Sequence, residues 1–280
     1  MEVFKTIKSL QQSLSLKDDH LTLGLVPTMG ALHEGHLSIV KRAKEENNLV
    51  VVSIFVNPTQ FDKKEDLINY PSTIEADLEA LEALNCDFVF TPTVEEVYQG
   101  DTRSEAFSFD GLDSVMEGKH RQGHFDGVAT IVKKLFLITK PDKAYFGEKD
   151  YQQLLIIKKM VDLESIPIVI EPVQIYREID GLAMSSRNTR LTENQRNAAP
   201  EIYQTLLKSK KIFDNNDLDS VKSFVKNEFI QNKELELEYF EVADTESLKI
   251  ATEILPHKKY RGFIAVFAGS VRLIDNIALN

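Results

Sequence analysis

The stretch Leu21-Thr22-Leu23-Gly24-Leu25-Val26-Pro27-Thr28-Met29-Gly30-Ala31-Leu32-His33-Glu34-Gly35-His36 runs from an apolar segment through a glycine-bearing turn into a helical pattern. Leu21 to Val26 is short, apolar and bounded by a turn signal, as expected of a strand buried on both faces. A strand that hands over to a helix in this way is the unit from which parallel sheets are built, and the turn at its carboxyl end is where such sheets hold nucleotides. Gly30 and Gly35 let the backbone turn tightly and approach a ligand. The first helical turn leaves amide N–H groups for phosphate oxygens, and His33 and His36, three residues apart, share one helical face. An imidazolium there would offset charge gathering between two phosphates as the outer group departs.

The same alternation continues outward from this turn. Val50 to Val56, Phe88 to Phe90, Ala144 to Phe146 and Ile166 to Ile170 read as further short buried strands, rich in Val, Ile and Phe. Between them, Ser72 and Glu75 make a capping-box signal for a helix carrying Ala76, Leu78, Leu81 and Leu84. Val128 to Ile138 and Tyr151 to Val161 repeat the amphipathic spacing. The expected fold is therefore α/β, a doubly wound parallel sheet over residues 1–177. After Arg177 come an Asp180-Gly181 loop, a charged helical stretch, apolar strands at Leu235 to Val242 and Phe263 to Val271, and a polar end. That pattern predicts a smaller α+β domain over residues 178–280.

The chain has 280 residues, 42% of them hydrophobic, and a net charge of -11. Such a surface gives nucleic acid no broad electrostatic grip, so an anionic substrate must be met by local cations. One cysteine, Cys86, excludes an intramolecular disulfide or a thiolate metal cluster, and the six histidines lack the spacing of a zinc site. Cys86 is expected in or near the core. The N-terminal segment lacks the apolar core of a signal peptide, and no apolar run approaches the roughly 20 residues that a membrane helix needs. A cytoplasmic location without a membrane partner is the expectation.

Three further loops gather polar groups. Asn57-Pro58-Thr59-Gln60-Phe61 leaves the carboxyl end of a predicted strand, beside the first turn if the two strands are neighbours. The Gln60 amide both donates and accepts, which suits a hydroxy acid. Gly147-Glu148-Lys149-Asp150-Tyr151-Gln152-Gln153 again lies where a strand gives way to a helix. There Lys149 offers a cation to a triphosphate, and Asp150 either caps the helix or holds a ribose or a magnesium-bound water. Met184-Ser185-Ser186-Arg187 sets two hydroxyls beside a guanidinium, a group suited to phosphate oxygens, on a loop able to exclude water from a reactive anhydride.

Pro27 to His36 resembles the H-x-G-H element of the nucleotidyltransferase superfamily in the form typical of pantothenate synthetases. Phe55 to Phe61, Phe146 to Leu154 and Asp180 to Asn188 are similar to that family's other motifs, in the same order. The resemblance implies a Rossmann-like nucleotidyltransferase domain. It also implies ATP-dependent joining of pantoate to β-alanine through a pantoyl adenylate, with ATP as co-substrate, Mg2+ on its phosphates, and a homodimer. By the same resemblance His36 is the proton donor, and His33, Lys149 and Arg187 supply the other fixed cations or donors. ATP contacts then run through Met29, Gly30, Ala31, Leu32, His33, Glu34, Gly35 and His36, through Gly147, Glu148, Lys149 and Asp150, and through Tyr176, Met184, Ser185, Ser186 and Arg187. Tyr176 stands where the family usually has a small aliphatic residue, so its contact would be made by backbone. Gln60 and Gln153 fall on pantoate and β-alanine contacts, and Asn57 and Tyr70 on other site-lining positions. Arg121 and His124 lie in a segment similar to one at the family's substrate cavity. Asp77 falls near an acidic group that the family places close to magnesium; by position it is equally a helix-surface carboxylate. The metal ligands stay open. Two other readings compete: a nucleotidyltransferase that stops at a nucleotide-bearing product, and an ATP sensor that consumes nothing. A ligase differs from both in releasing free AMP.

Overall fold

Leu23–Thr28 (β2) is buried along nearly its whole length because both of its neighbours are strands. In the computed structural model, which describes every residue except 19, 62–66, 69, 215 and 216, this strand lies in a six-stranded parallel sheet. The other members are β1 (Glu2–Phe4), β3 (Leu49–Ile54), β4 (Phe88–Phe90), β5 (Lys143–Gly147) and β6 (Val169–Val173), in the order β1-β4-β3-β2-β5-β6. The chain moves outward from β2 to β3 and β4, then crosses back to β5 on its other side, so the order reverses at β2. Pairing of β2 with β3 runs to Thr28 and Ile54, whereas pairing with β5 ends at Leu25 and Ala144. Pro27 has no N–H with which to extend the second ladder. The ladder thus ends early at the position where doubly wound sheets bind ligands.

Helices α1 (Ile7–Ser15), α2 (Glu34–Glu46), α3 (Ile74–Ala83), α4 (Val94–Tyr98), α5 (Met116–His120), α6 (His124–Thr139) and α7 (Tyr151–Leu163) lie between these strands. Val40 and Ala43 of α2 and Leu81 of α3 pack with Val26, Val50, Val52 and Val89 into one apolar cluster. Cys86 belongs to it, and burial, reinforced by neighbouring Asp87, pushes its thiol up to about 11.

Several expectations need correcting. The capping box is absent: the N-cap of α3 is Thr73, not Ser72, and no side chain caps it. The Thr73 hydroxyl donates instead to Asp77 Oδ1 at 3.0 Å. Strand β1 was not anticipated. The strand expected at Ile166 to Ile170 begins at Val169, because Ser165 takes φ 51° and Ile166 N–H closes the end of α7 on Val161 O. Pro172 is tolerated because β6 is an edge strand.

The described chain divides into two compact units. One comprises Met1–Asp113, Glu117–Glu148 and Gln152–Gln174; the other comprises Ser114–Met116, Lys149–Tyr151 and Ile175–Asn280. The second holds a three-stranded antiparallel sheet of β7 (Glu236–Asp244), β8 (Tyr260–Ala268) and β9 (Val271–Ala278). Helices α8 (Glu193–Ala198), α9 (Glu201–Phe213) and α10 (Leu218–Ile230) accompany it. The single strand expected at Phe263 to Val271 is two strands, joined by a tight turn at Gly269 with φ 59°, and the supposed polar end is β9. Ile202, Leu206, Val221 and Val225 of α9 and α10 are buried with Val242, Ile264 and Leu273 of the sheet. No helix among the described residues is long and apolar enough to cross a membrane.

Candidate active site

The turn after β2 is built by its own polar groups. Gly30 and Ala31 both adopt left-handed backbone, with φ of 80° and 50°. That conformation suits glycine and is uncommon for alanine. Gly30 N–H donates to Thr28 Oγ1 at 3.2 Å, and the Thr28 hydroxyl donates to Ser53 O on β3 at 2.8 Å. Ala31 and Leu32 N–H donate to the two oxygens of Asp77, at 2.9 and 2.8 Å. Gly35 N–H donates to Nδ1 of His33, which is the N-cap of α2, at 3.1 Å. Of the first helical turn, expected to leave its amides for phosphate, Gly35 already gives its N–H to His33, and Gly30, Ala31 and Leu32 just before it are likewise engaged within the protein.

The imidazoles are what the turn assembles. His33 and His36 stack with ring centroids 4.0 Å apart and planes 26° from parallel. Because His33 Nδ1 accepts from Gly35, the proton of the neutral ring sits on Nε2. Glu34 is exposed and pairs with Lys41 at 3.7 Å. Asp77 is 2% exposed and accepts from two amides and the Thr73 hydroxyl, so it is not the helix-surface carboxylate that its position allowed. The sequence does carry a signal for it: Asp77 stands four residues from both Thr73 and Leu81, on the helix stripe that turns inward.

The loop leaving β3 begins next to that turn, since β2 and β3 pair to their carboxyl ends. Asn57 is 1% exposed and its side chain is fully committed. Its Nδ2 donates to Gln60 Oε1 at 3.0 Å and to Gly127 O at 3.1 Å, while its Oδ1 accepts from Tyr98 OH at 2.6 Å and from Thr59 Oγ1 at 3.1 Å. Asn57 thus orients Gln60 and leaves the Gln60 amine as its donor. Helix α6 lies so close that a Cβ at Gly127 would meet Thr59 O at 2.4 Å. His124, 6% exposed, holds Gln60 O through Nδ1 at 2.8 Å, and Arg121 reaches the same oxygen at 3.5 Å. Tyr70 is half-buried, edge-on to Phe61 with centroids 5.7 Å apart.

Gly147 ends β5 and Glu148 follows it; a Cβ at Gly147 would only touch Ile39 Cδ1 at 3.4 Å. Packing within the protein therefore does not demand a glycine there. Gln152 is structural: it accepts from Glu117 N–H at 3.0 Å and donates to Leu112 O at 2.6 Å. Gln153 is half-buried, and its side chain makes no hydrogen bond to a described residue.

Lys149, Asp150 and Tyr151 belong to the second unit. Asn276 of β9 donates to Lys149 O at 2.9 Å, Arg261 of β8 stacks 4.1 Å above the Tyr151 ring, and Tyr151 OH donates to Thr245 O at 3.2 Å. Sequence reasoning missed Asn276 and Arg261, two of the buried polar residues of the antiparallel sheet. Lys149 Nζ lies 4.0 Å from Asp150 Oδ2. The Met184 to Arg187 segment sits in a hairpin: Met184 N–H donates to Tyr176 O at 3.0 Å, and Ser185 Oγ accepts from Arg187 N–H at 3.3 Å. Arg196 clamps this hairpin through Glu178 and Asp180, and Arg177 pairs with buried Asp275 at 2.6 Å. Arg187 is exposed and forms no ion pair with a described residue; Tyr176 is exposed. Among the described residues no group of three or more His, Cys, Asp or Glu converges as a metal cage.

The family model of pantoate-beta-alanine ligase matches residues 2–278. A pantothenate synthetase of Flavobacterium psychrophilum is 52% identical over 262 residues, covering 93% of each chain. One from Christiangramia forsetii is 49% identical over the full length of both. Among solved structures, a pantothenate synthetase from Thermus thermophilus superposes with a TM-score of 0.92 at 37% identity, covering 100% of this chain and 99% of that one. A pantoate-beta-alanine ligase from Francisella tularensis, complexed with beta-gamma ATP and beta-alanine, does so with a TM-score of 0.83 at 35% identity, covering 100% and 98%. With a whole-length family match, relatives near half identity and the same fold, this chain belongs to the pantoate–β-alanine ligase family.

Proposed function

We propose that the protein condenses pantoate with β-alanine in two steps at the expense of ATP. In the first, the pantoate carboxylate attacks the α-phosphorus and pyrophosphate leaves; in the second, the β-alanine amine attacks the carbonyl of pantoyl adenylate and AMP leaves. The observation that carries this reading is the stacked His33–His36 pair where the turn after β2 enters α2, together with a Gln60 oriented by Asn57 in the loop after the adjacent β3. Phosphate-directed donors and a neutral amide donor suit a triphosphate and a hydroxy acid at adjoining positions.

In this reading His36 delivers the proton to departing pyrophosphate, and His33 Nε2–H, Lys149 and Arg187 meet phosphate oxygens. Met29 to His36, Gly147 to Asp150, Tyr176 and Met184 to Arg187 bind ATP. Gln60 and Gln153 bind pantoate and β-alanine, with Tyr70 lining the site and Asn57 acting through Gln60. Magnesium would ride on the phosphates and offset their charge, and the half-exposed Asp150 carboxylate is the group suited to hold a magnesium-bound water. A homodimeric, cytoplasmic enzyme completes the proposal by family likeness. Pantoate-dependent exchange of labelled pyrophosphate into ATP, with magnesium present and β-alanine left out, tests it. Exchange that requires pantoate supports the adenylate step; no exchange from folded protein that binds ATP returns the chain to the nucleotidyltransferases that stop at a nucleotide-bearing product.

A further inference from the structure

We propose that Asp77 is the positioning residue for the histidine-bearing turn and does not bind magnesium; the catalytic part of this inference rests on the function proposed above. Three donors converge on its carboxylate: Ala31 N–H and Leu32 N–H from the turn, and the Thr73 hydroxyl from the start of its own helix. With 2% of its surface exposed, little of the carboxylate remains for a metal.

The bond pattern has a purpose that the backbone reveals. Ala31 occupies left-handed backbone at φ 50°, which is strained for a residue with a Cβ. A strained residue persists only where its surroundings overdetermine it. Here the two oxygens of one carboxylate take the N–H of the strained residue and of the next one, so both amides are fixed by a single side chain. His33 follows directly, so the torsions fixed by Asp77 set where the two imidazoles stand. Gly30 fits the same assembly, since a Cβ there would come to 3.0 Å from Asp77 Oδ2 and from Ile54 Cγ2. Thr73 is an N-cap whose side chain caps nothing, which leaves its hydroxyl free for Asp77.

The test is Asp77→Asn, an isosteric change that leaves one oxygen for one of the two N–H donors and sets an NH2, which cannot accept, against the other. Thr73→Ala, which withdraws a single bond and no helix cap, is the milder companion should the first variant fold poorly. In the unliganded proteins, hydrogen exchange at Ala31 and Leu32 is expected to accelerate in both variants, more in Asp77→Asn. Pantoate-dependent pyrophosphate exchange is expected to fall about tenfold to a hundredfold in Asp77→Asn, the range that a misplacement of reacting groups near 1 Å produces. The pantoate KM and the magnesium concentration for half-maximal rate are expected to stay as in the wild type. Unchanged amide exchange in both variants overturns the proposal. So does a magnesium requirement that rises as the rate falls, the mark of a metal ligand. If the wild-type protein shows no pantoate-dependent exchange, the proposed function fails alone, and the amide measurement still decides whether Asp77 anchors the turn.

Discussion

Gly127→Ala changes one hydrogen into a methyl group at the contact between α6 and the Asn57–Gln60 turn. The new Cβ would lie 2.4 Å from Thr59 O, 2.7 Å from the Thr59 carbonyl carbon and 2.9 Å from Gln60 Cα. Unstrained carbon contacts sit near 3.5–4.0 Å, so helix and turn must separate by about 1 Å. All three clashing atoms are backbone, which no rotamer change can move aside. Separation also strains the Asn57 Nδ2 bond to Gly127 O and, through the same amide, the bond that orients Gln60. Overpacking of this sort costs about 1–3 kcal/mol, which for a chain of this size lowers Tm by roughly 3 to 10 °C. Displacing a substrate-positioning group by about 1 Å costs up to roughly a hundredfold. Steady-state exchange assays are therefore expected to show a pantoate KM raised ten- to a hundredfold beside an ATP KM within about threefold of wild type, because the turn proposed to bind ATP is held by Asp77 instead. A Gly127→Ala protein with wild-type Tm and wild-type pantoate KM would refute the argument that this contact sets the Gln60 amide.

Three further outcomes follow from named groups. His36→Ala is expected to slow pyrophosphate release in a single turnover at saturating substrates by about 10²- to 10⁴-fold, the usual range for a lost proton donor, with ATP affinity changed far less; an unchanged rate removes His36 from the chemistry. Cys86, buried at the edge of the sheet core and pushed up to about 11, is expected to resist iodoacetamide at pH 8 in native protein and to react fully in urea, with rapid native labelling as the contrary result. Burial alone would raise the Asp244 carboxyl, but hydrogen bonds from the Ser247 hydroxyl and amide, Lys258 and the Glu246 amide hold it at about 2. A folded value below the unfolded one contributes stability that is present above about pH 4 and is lost as pH falls through about 2, worth about 2 kcal/mol. Urea unfolding of wild type and Asp244→Asn between pH 6 and pH 2 should therefore converge on acidification; parallel curves would contradict it.

The parts of the fold legible in the sequence are those where one residue pattern has one physical solution. Buried strands such as Val50 to Val56 and Phe88 to Phe90 announce themselves because both faces need apolar side chains, and β3 and β4 lie there. Where tertiary contacts decide, local pattern fails. Three-residue β1 exists only because β4 offers it a free edge. Strands β8 and β9 merge in the sequence because a two-residue turn at Gly269-Ser270 interrupts a continuous apolar run without a polar loop. The Ser72–Glu75 box fails because the helix starts one residue later, with Thr73 at the N-cap, and the Thr73 hydroxyl bonds Asp77 instead of a helix amide. In the candidate site, the motif strings locate the residues but not the direction in which each acts. Asn57 and Gln60 look alike in sequence as amides of one loop; in the fold one is saturated and turned inward, and the other keeps its amine.

The same distinction explains why the turn after β2 carries histidines at all. A glycine-rich phosphate loop binds anions with its own amides, and such a loop needs those amides free. Here Gly30, Ala31, Leu32 and Gly35 give theirs to Thr28, Asp77 and His33. Those bonds hold a left-handed backbone that would otherwise relax, and they leave the turn with fewer donors for a triphosphate. The deficit must be met by side chains, and the stacked imidazoles of His33 and His36 stand where the turn hands over to α2. In the function proposed above, rigidity from Asp77 and chemistry from the histidines are two consequences of one arrangement, which is why disturbing the carboxylate should reach the phosphate chemistry without touching a phosphate.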